Sequence, residues 1–582
     1  MSSTAGSMPV EPTGARLARL TRHLPVVLLG LVLTYLVIVP LASLLVSSFR
    51  PSGFPLDEGW SLTNYAAGYG NAAFYELLWN TMLFAVGAMS VALSLAILLA
   101  WTLERTDVPG ARVFRILVLI PIAMPSVLLA LSWAMLANPR NGIINVLLRP
   151  LIGEPLLNPY SMTGMILIQG LALVPTSLLI ISPTLRNLDP SLEEAARTSG
   201  AGFLRTVRRA ILPTLVPTLA TATIIVLIAC FVLFDIAGAL GMPARIYVLA
   251  TRVYYLINNS PTGAPLYGEV SALAVMFLAM LMLMGWAYRR ASRESRRFVS
   301  ITGKAFRPRV YKLGTWRWPV WALLVLFVMV SLVLPLLVLI WMSLMPFQTA
   351  PSLQSLQLLT LSNHAELLRS VAFGKAALNS VVVAVVAASM TTLIGGLVAW
   401  TVVRTRVPGR GLLDMLAFMP LAIPGVMIGV ALIYVYLALG RLVPIYGTIW
   451  IIIAGYLTQY LPYGTRLSSN VMLQIHPELE EAGRASGATA RRVLLRITLP
   501  LVLPALLGVW VWVASHALRE LSTALMLQGQ DNAVITTFLW DAWAGGDGTR
   551  SAAIGLWLVF GTAFLLLLWQ VVDRLTSRIS NR

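Results

Sequence analysis

The sequence predicts an all-α polytopic membrane protein in which twelve transmembrane helices form two parallel six-helix repeats. The first observation behind this prediction is composition: of 582 residues, 58% are hydrophobic and only 11% are charged, and the mean hydropathy is +0.82. Apolar residues on that scale need lipid to face. The second observation is a polar segment that occurs twice between long apolar runs, with its residues at a constant separation.

Twelve apolar stretches are each long enough to cross about 30 Å of hydrocarbon. They lie near 24–48, 80–103, 113–137, 162–185, 214–240, 268–289, 318–344, 377–403, 412–437, 447–468, 501–527 and 552–573. We therefore divide the chain into a disordered tail (1–23), a first domain (24–289), a basic linker (290–317), a second domain (318–573) and a short tail (574–582).

The repeated polar segment covers 188–213 and 475–500. Several of its residues match at a constant separation of 287: Glu194 with Glu481, Gly200 with Gly487, and Pro213 with Pro500. Membrane-spanning segments resemble one another easily because they share an apolar composition. A polar loop that repeats at fixed spacing indicates a duplicated functional element.

Each copy of this segment is predicted to form a short helix. In the first copy, Asp189 is placed to cap the N-terminus and Pro190 suits the first helical position, where no N–H is needed. Gly200 suits the end of the helix because it tolerates a positive φ. In the second copy, Gly483 is expected to interrupt the helix, since Gly costs about 1 kcal/mol relative to Ala.

The duplication extends into the apolar regions at a different separation, 299. The matching positions are Asn80 and Asn379, RTDVPG at 105–110 and RTRVPG at 404–409, Pro121 and Pro420, and Pro125 and Pro424. The difference between 299 and 287 predicts twelve extra residues in the first half, within 138–161. An even number of spans in each half makes the halves parallel, so a pseudo-twofold axis is expected along the membrane normal, with a transport path at the repeat interface.

The distribution of positive charge predicts the orientation. Most of the 42 Lys and Arg residues fall in the two tails, the linker, and the loops on the same side as the repeated segments. The positive-inside rule therefore places both termini and both repeated segments in the cytoplasm. Because the basic residues lie in short loops between apolar runs, the net charge of +19 does not indicate nucleic-acid binding.

The repeated segments resemble the EAA loop of ABC-importer permeases: Glu-Ala-Ala, three residues, Gly and, further on, Ile-x-Leu-Pro. The matching residues are Glu194, Ala195, Ala196, Gly200 and Pro213, and Glu481, Ala482, Gly483, Gly487 and Pro500, with Ala210 in place of the Ile in the first copy. In that family the loop is a coupling helix that lies in a cleft of a separate ATPase. The resemblance therefore implies two copies of an ABC ATPase as partners, with ATP and magnesium bound there.

The chain itself is expected to be a transport subunit and not an enzyme, with no cofactor and no metal site of its own. None of its lysines (Lys304, Lys312 and Lys375) lies in a GxxxxGK[ST] phosphate-binding loop. No Ser/His/Asp set or carboxylate pair stands out as catalytic.

Three polar residues within the predicted spans are candidates for the transport path: Asp235, Glu520 and His516. Charged side chains in a bilayer are costly and usually face a cavity or a partner. For the two acids, the alternatives are pairing, for instance with Arg519, or a wet position near the outer interface. For His516, the alternative is a buried histidine whose hydrogen bonds are satisfied within the fold.

Two EAA-bearing halves fused in one chain resemble ferric-iron-type permeases, as do LGMPARIYVLATRVY at 240–254 and SHALRELSTALML at 515–527. The resemblance implies alternating access in a bacterial inner membrane, surrounded by lipid, with an extracytoplasmic binding protein that delivers ferric iron to the outer loops. Thiamine, polyamine and phosphonate permeases share the architecture and stay open as alternatives. A twelve-span secondary transporter is the alternative from another class, but it predicts charges within the spans and no duplicated loop.

Overall fold

The computed structural model describes residues 24, 26–258, 265–295 and 310–580, and the regular secondary-structure elements of this part of the chain are helices. The helices of the first half are α1 (Val26–Ser48), α2 (Thr63–Tyr69), α3 (Ala72–Arg105), α4 (Ala111–Ala123), α5 (Ser126–Ala137), α6 (Ile143–Ile152), α7 (Met162–Arg186), α8 (Pro190–Thr198), α9 (Leu204–Val232), α10 (Leu249–Asn258) and α11 (Tyr267–Ser295).

The helices of the second half follow in the same order. They are α12 (Gly314–Ser343), α13 (Ser362–Arg369), α14 (Val371–Arg404), α15 (Arg410–Ala422), α16 (Gly425–Ala438), α17 (Ile449–Leu473), α18 (Glu478–Ala485), α19 (Arg491–Ala517), α20 (Ser522–Leu527), α21 (Ile535–Ala544) and α22 (Gly548–Ser580). α6 lies inside the predicted insertion at 138–161. The predicted N-terminal tail and residues 296–309 of the predicted linker lie outside the described residues, whereas 574–580 of the predicted C-terminal tail are helical.

Within the described residues, nine helices are long and apolar enough to cross a membrane, and counting each of two bent helix pairs as one span raises the number to eleven. The tenth predicted span, 447–468, forms α17 but is more polar than those helices and is not among them. The structure therefore supports nine to eleven spans by length and composition.

Two bent helix pairs form the spans predicted at 113–137 and 412–437. α4 and α5 meet at 98°, and α15 and α16 meet at 112°. The break falls before Pro125 and Pro424, where Met124 and Ile423 have extended backbone angles. Proline disfavours the helical conformation of the residue before it, which explains why both breaks occur at the same repeated position.

Equivalent hydrogen bonds show the duplication in three dimensions. The side-chain amide of Asn64 donates to the carbonyls of Ser48 and Arg50, at 3.2 and 2.6 Å. The amide of Asn363, which lies 299 residues later, donates to the carbonyls of Ser343 and Met345, at 3.0 and 2.8 Å. The same side chain therefore ties the end of the first long helix to the following short helix in each half.

The first helix of each half packs against the opposite half. α1 lies against α14 to α17, where its apolar residues share a core with Leu413 and Leu461 and the Tyr35 hydroxyl donates to the Tyr436 hydroxyl at 2.9 Å. α12 lies against the first half, with Leu324 in a core shared with Leu103. This reciprocal exchange means that each half is completed by a helix from the other.

Small residues bring the long central helices close together. A Cβ at Gly170 of α7 would lie 2.6 Å from the Val91 side chain of α3, and a Cβ at Gly464 of α17 would lie 2.7 Å from Thr391 of α14. Close approach of this kind is the usual way in which helices associate in lipid. It places α3 beside α7 and α14 beside α17, and α7 and α17 lead directly into the repeated loops.

Candidate functional site

The first repeated loop forms the predicted helix with its predicted ends. The N–H of Ser191 donates to the Asp189 carboxylate at 2.9 Å, and α8 begins at Pro190. The helix ends at Thr198, and Gly200 takes a φ of +77°. The N-terminal cap and the terminal glycine are therefore confirmed.

α8 is anchored through Glu193, the residue before the predicted motif. Glu193 is fully buried and forms an ion pair with Arg105 at the end of α3. The Tyr311 hydroxyl donates to the same carboxylate at 2.5 Å. Glu194 and Ala195, by contrast, are exposed, and Ala196 is half-buried. The anchor and the exposed face of α8 are thus carried by adjacent residues.

α18 repeats this arrangement in the second half. The buried Glu480 lies 3.4 Å from the Arg404 guanidinium and accepts a hydrogen bond from the Thr498 hydroxyl at 3.0 Å. Arg404 also donates to the carbonyls of Met472, at the end of α17, and of Ile475, just beyond it, each at 2.7 Å. Glu481 and Ala482 are exposed. Since Arg105 and Arg404 are equivalent, both loops are held by the same type of ion pair.

Gly483 does not interrupt α18, contrary to the prediction, because the helix continues to Ala485. A Cβ at Gly483 would lie 2.6 Å from the Ile497 side chain, so the glycine allows close contact with the start of α19. Gly487 takes a φ of +81° just beyond the helix, as Gly200 does in the first half.

Pro213 and Pro500 lie in α9 and α19, directly after π-helical turns at Val207–Ile211 and Leu494–Thr498. Proline has no N–H to donate to the preceding turn, which favours such a widened turn at both positions. The repeated loop thus leads directly into the first turns of α9 in the first half and of α19 in the second half.

Sequence reasoning missed the four anchoring residues. A signal for them existed: Arg105 and Arg404 open the repeated RTDVPG and RTRVPG, and Glu193 and Glu480 are themselves a repeated pair. Spacing alone does not show which of two adjacent glutamates is buried. The ion pairs with Arg105 and Arg404 show that Glu193 and Glu480 are the buried ones.

The fifth helix of each half ends earlier than predicted. α9 ends at Val232 and not near 240, and α19 ends at Ala517 and not near 527. After each break the chain forms a short helical segment, Ala237–Gly241 in the first half and α20 in the second. In a membrane protein, non-helical backbone is tolerated where other parts of the protein cover it. Both breaks are surrounded by buried residues of the helix bundle.

Glu520 caps the short helix after the second break. Its carboxylate accepts the backbone N–H of Thr523, at 2.9 and 3.1 Å, and of Ala524, at 3.3 Å. Arg519, its neighbour in the chain, donates to the Ile122 carbonyl of the first half. Glu520 therefore has a structural role as a helix cap.

His516 is held by its own helix. Its Nδ1 lies 2.8 Å from the Trp512 carbonyl oxygen, and its ring stacks on the Trp512 ring with centroids 3.9 Å apart. Tyr460 lies against both rings. This agrees with a histidine whose hydrogen bonding is satisfied within the fold.

α10 and α21 are equivalent helices beyond the two breaks. The N–H of Leu249 donates to the Thr81 hydroxyl at 3.0 Å, and the N–H of Ile535 donates to the Ser380 hydroxyl at 2.7 Å. Thr81 and Ser380 are 299 residues apart, as are the other equivalent positions of α3 and α14. Leu249 therefore corresponds to Ile535, and each later residue of α10 corresponds to one of α21.

An aromatic cluster joins the halves at these two helices; we define the axial aromatic cluster as Phe234, Tyr254 and Trp540. Tyr254 and Trp540 are equivalent, and their ring centroids are 6.2 Å apart. Phe234 lies 5.3 and 5.5 Å from the two rings. Residues related by a twofold rotation touch only where the axis passes between them. The cluster therefore fills the pseudo-twofold axis at the end opposite the repeated loops.

Asp235 follows Phe234 in the chain and so lies beside the axial aromatic cluster. When the halves are aligned on the repeated loops, Asp235 corresponds to Ser522, and the Asp235 carboxylate lies near Ser522. Asp235 is only 8% exposed. A buried carboxylate contributed by one half only therefore lies beside the axial aromatic cluster.

Two parallel helical halves, a polar helix anchored at the base of each, and a seam between them closed at one end define a membrane transport subunit. The chain belongs to the family described as binding-protein-dependent transport system inner membrane component, whose model matches residues 92–297 and 391–582, one match in each half. It is a permease component of an ABC importer. This assignment favours the permease over the secondary transporter that the span pattern alone would also fit.

The chain is similar to named permeases along most of its length. It is 27% identical over 501 residues to the "Ferric transport system permease protein FbpB" of Actinobacillus pleuropneumoniae, covering 84% of this chain and 68% of that protein. It is 24% identical over 557 residues to the "Probable ABC transporter permease protein y4fN" of Sinorhizobium fredii, covering 95% of each. A solved bacterial ABC transporter that imports alginate has a TM-score of 0.38 and 17% identity, covering 45% of this chain and 96% of that one.

Proposed function

We propose that this chain forms the membrane path of an ATP-driven importer of ferric iron, and that two copies of an ABC ATPase bind it through α8 and α18. An extracytoplasmic binding protein delivers the iron. The α8 and α18 ends and both termini face the cytoplasm of a bacterial cell, and twelve spans cross its inner membrane when α17 is counted with the nine apolar helices and the two bent pairs.

The observation that carries this proposal is that two adjacent glutamates in each loop have different environments, one buried and one exposed. Glu193 and Glu480 are buried and hold their helices to the long helices, while Glu194 and Glu481 face solvent. An exposed acidic helix on a rigid base suits contact with another protein, because movement imposed on the helix is passed to the helices that hold it.

The cargo proposal is supported by the relative named as a ferric transport permease and by the buried carboxylate of Asp235 beside the axial aromatic cluster. A carboxylate and a hydroxyl are oxygen ligands of the kind that hard cations prefer. We propose that the path follows the pseudo-twofold axis, past Asp235, and that the axial aromatic cluster closes its outer end. Glu520 and His516 lie near the path and support its walls. Alternating access opens this end and the cytoplasmic end in turn.

The test is a double charge reversal, Glu194→Arg with Glu481→Arg, in a chain co-expressed with its ATPase. We expect the ATPase to be lost on purification and ATP-dependent uptake of ferric iron into proteoliposomes to stop. The matched control is Glu58→Arg with Glu154→Arg, two exposed glutamates outside the repeated loops, which should retain the ATPase. Normal assembly and uptake in the loop variant would refute the coupling role. Uptake of thiamine in place of iron by the wild type would refute the cargo.

A further inference from the structure

The segment that leads into the second half lies on the anchor of the first loop. We call residues 310–313 the strap; α12 begins directly after it, at Gly314. The N–H of Tyr311 donates to the Arg105 carbonyl at 2.8 Å, and the N–H of Asp107 donates to the Tyr311 carbonyl at 3.2 Å. The N–H of Leu313 donates to the Asp107 carboxylate at 2.9 Å. These three hydrogen bonds hold the strap to Arg105, the last residue of α3, and to Asp107 just after it.

The Tyr311 side chain extends this contact to α8. Its hydroxyl donates to the Glu193 carboxylate at 2.5 Å, and its ring lies against Trp101 with centroids 5.6 Å apart. The Arg105 guanidinium, which pairs with Glu193, also lies over the tyrosine ring. One residue of the strap therefore contacts both members of the buried ion pair that anchors α8.

In the second half, the buried glutamate also accepts a hydrogen bond from a hydroxyl, but from a residue at a different position. Glu480 accepts from Thr498, which belongs to the same half. The residue of the first half that corresponds to Thr498 is Ile211, which has no hydroxyl. Tyr311, which leads into the second half, therefore donates to the glutamate of the first half the hydrogen bond that Thr498 donates to the glutamate of its own half.

The repeated hexapeptides explain why the strap suits the first half. The third residue of RTDVPG is Asp107, whereas the third residue of RTRVPG is Arg406. A carboxylate accepts the N–H of Leu313, but a guanidinium has only donors. The two hexapeptides differ in charge only at this residue, and this residue holds the strap in the first half.

We propose that Tyr311 and Asp107 are positioning residues that fasten the first coupling helix, α8, to α12 of the second half. A displacement of α8 then reaches the second half directly through the strap, in addition to passing through its own half. The expected consequence for transport rests on the proposed function, whereas the fastening of α8 does not depend on it.

The first test is hydrogen–deuterium exchange of the full-length chain in nanodiscs, with Tyr311→Phe. This change keeps the ring against Trp101 and removes only the hydroxyl. Because a hydrogen bond to a charged acceptor is lost, we expect amides of 190–198 to exchange roughly tenfold faster or more. Amides of 478–485 are the internal control and should not change. Unchanged exchange at 190–198, or equal acceleration in both loops, would overturn the proposal.

Two further variants separate positioning from loss of fold. Ile211→Thr, added to Tyr311→Phe, places a hydroxyl where the second half has Thr498, and slow exchange at 190–198 should return. Asp107→Asn keeps an acceptor for Leu313 and should behave as the wild type, whereas Asp107→Arg copies the second hexapeptide and should release the strap. Failure of the rescue together with an effect of Asp107→Asn would indicate general disruption, which also contradicts the proposal.

The second test measures coupling in the complex reconstituted with its ATPase and binding protein. We expect Tyr311→Phe to raise the number of ATP molecules hydrolysed per cargo imported, with partial return in the Ile211→Thr background. An unchanged ratio, with faster exchange of α8, would overturn the transmission of movement through the strap. If the wild-type chain binds no ATPase, the proposed function fails while the exchange experiment still tests the fastening.

Discussion

Removing Arg404 tests how firmly the second loop is anchored. Its guanidinium lies 3.4 Å from Glu480, and each side chain is 7% exposed. At an effective dielectric constant of about 20, two unit charges at that distance attract by about 5 kcal/mol. Loss of one partner from a buried pair is found to cost about 3–5 kcal/mol, because the other charge is left uncompensated.

Arg404→Met should fall at the lower end of that range. Glu480 would keep the Thr498 hydroxyl at 3.0 Å and the half-exposed Arg484, 3.4 Å away, as partial compensation. A local cost of about 3 kcal/mol raises the population of the detached helix roughly a hundredfold. The segment at and just beyond the end of α17 would also lose the two hydrogen bonds that Arg404 donates to the Met472 and Ile475 carbonyls.

The assay is hydrogen–deuterium exchange of the peptides that cover 478–485. The control is Arg410→Met, which removes an exposed arginine of the same loop that donates to the Thr405 carbonyl at 2.7 Å. We expect faster exchange in α18 with Arg404→Met and little change with Arg410→Met. Equal exchange of α18 in the two variants would refute the assignment of Arg404 and Glu480 as the anchor.

Two other predictions concern the axis. In a chain whose single native cysteine is replaced, Tyr254→Cys with Trp540→Cys should be joined by a short thiol-reactive cross-linker, and the join should stop uptake until a cleavable linker is reduced. Phe373→Cys with Phe538→Cys joins two rings 6.0 Å apart within one half and should leave uptake intact; equal uptake with both joins would show that the axis does not open there. Asp235→Asn should lower ferric iron uptake at least about tenfold, as expected when a charged contact of at least about 1.4 kcal/mol is lost, while ATPase assembly persists. Wild-type uptake by this variant would exclude a role of the carboxylate in the path.

Local features of the repeated loops could be predicted because their causes are local. Asp189 and Pro190 act within one turn of the helix that they begin, and Gly200 adopts its own backbone angle. The insertion containing α6 follows from the difference between two constant separations. The prediction for Gly483 was wrong because its glycine serves a contact with Ile497, fourteen residues later, and helix propensity does not report such contacts.

The breaks after α9 and α19 were not predictable from hydropathy. The residues that follow Val232 and Ala517 remain largely apolar, so the apolar runs continue while the helices end. Asp235 and Glu520 were found as buried acids, but their surroundings differ: Asp235 lies beside the axial aromatic cluster, and Glu520 caps α20. The amino-acid sequence does not show which buried acid accepts backbone N–H groups and which lies beside the aromatic cluster between the halves.

The amino-acid sequence by itself determined the all-helical membrane class, the duplication, the two polar helices and the family of the chain. These depend on composition, on period along the chain, and on matches at constant separation, which need no partner in space. Tertiary structure alone decided that Glu193 and Glu480 are the anchors, that Tyr311 stands in for Thr498, and that Tyr254 meets Trp540 on the axis. Each depends on residues far apart in the chain, such as Tyr311 and Glu193 with 118 positions between their numbers, and only packing brings such residues within reach of one another.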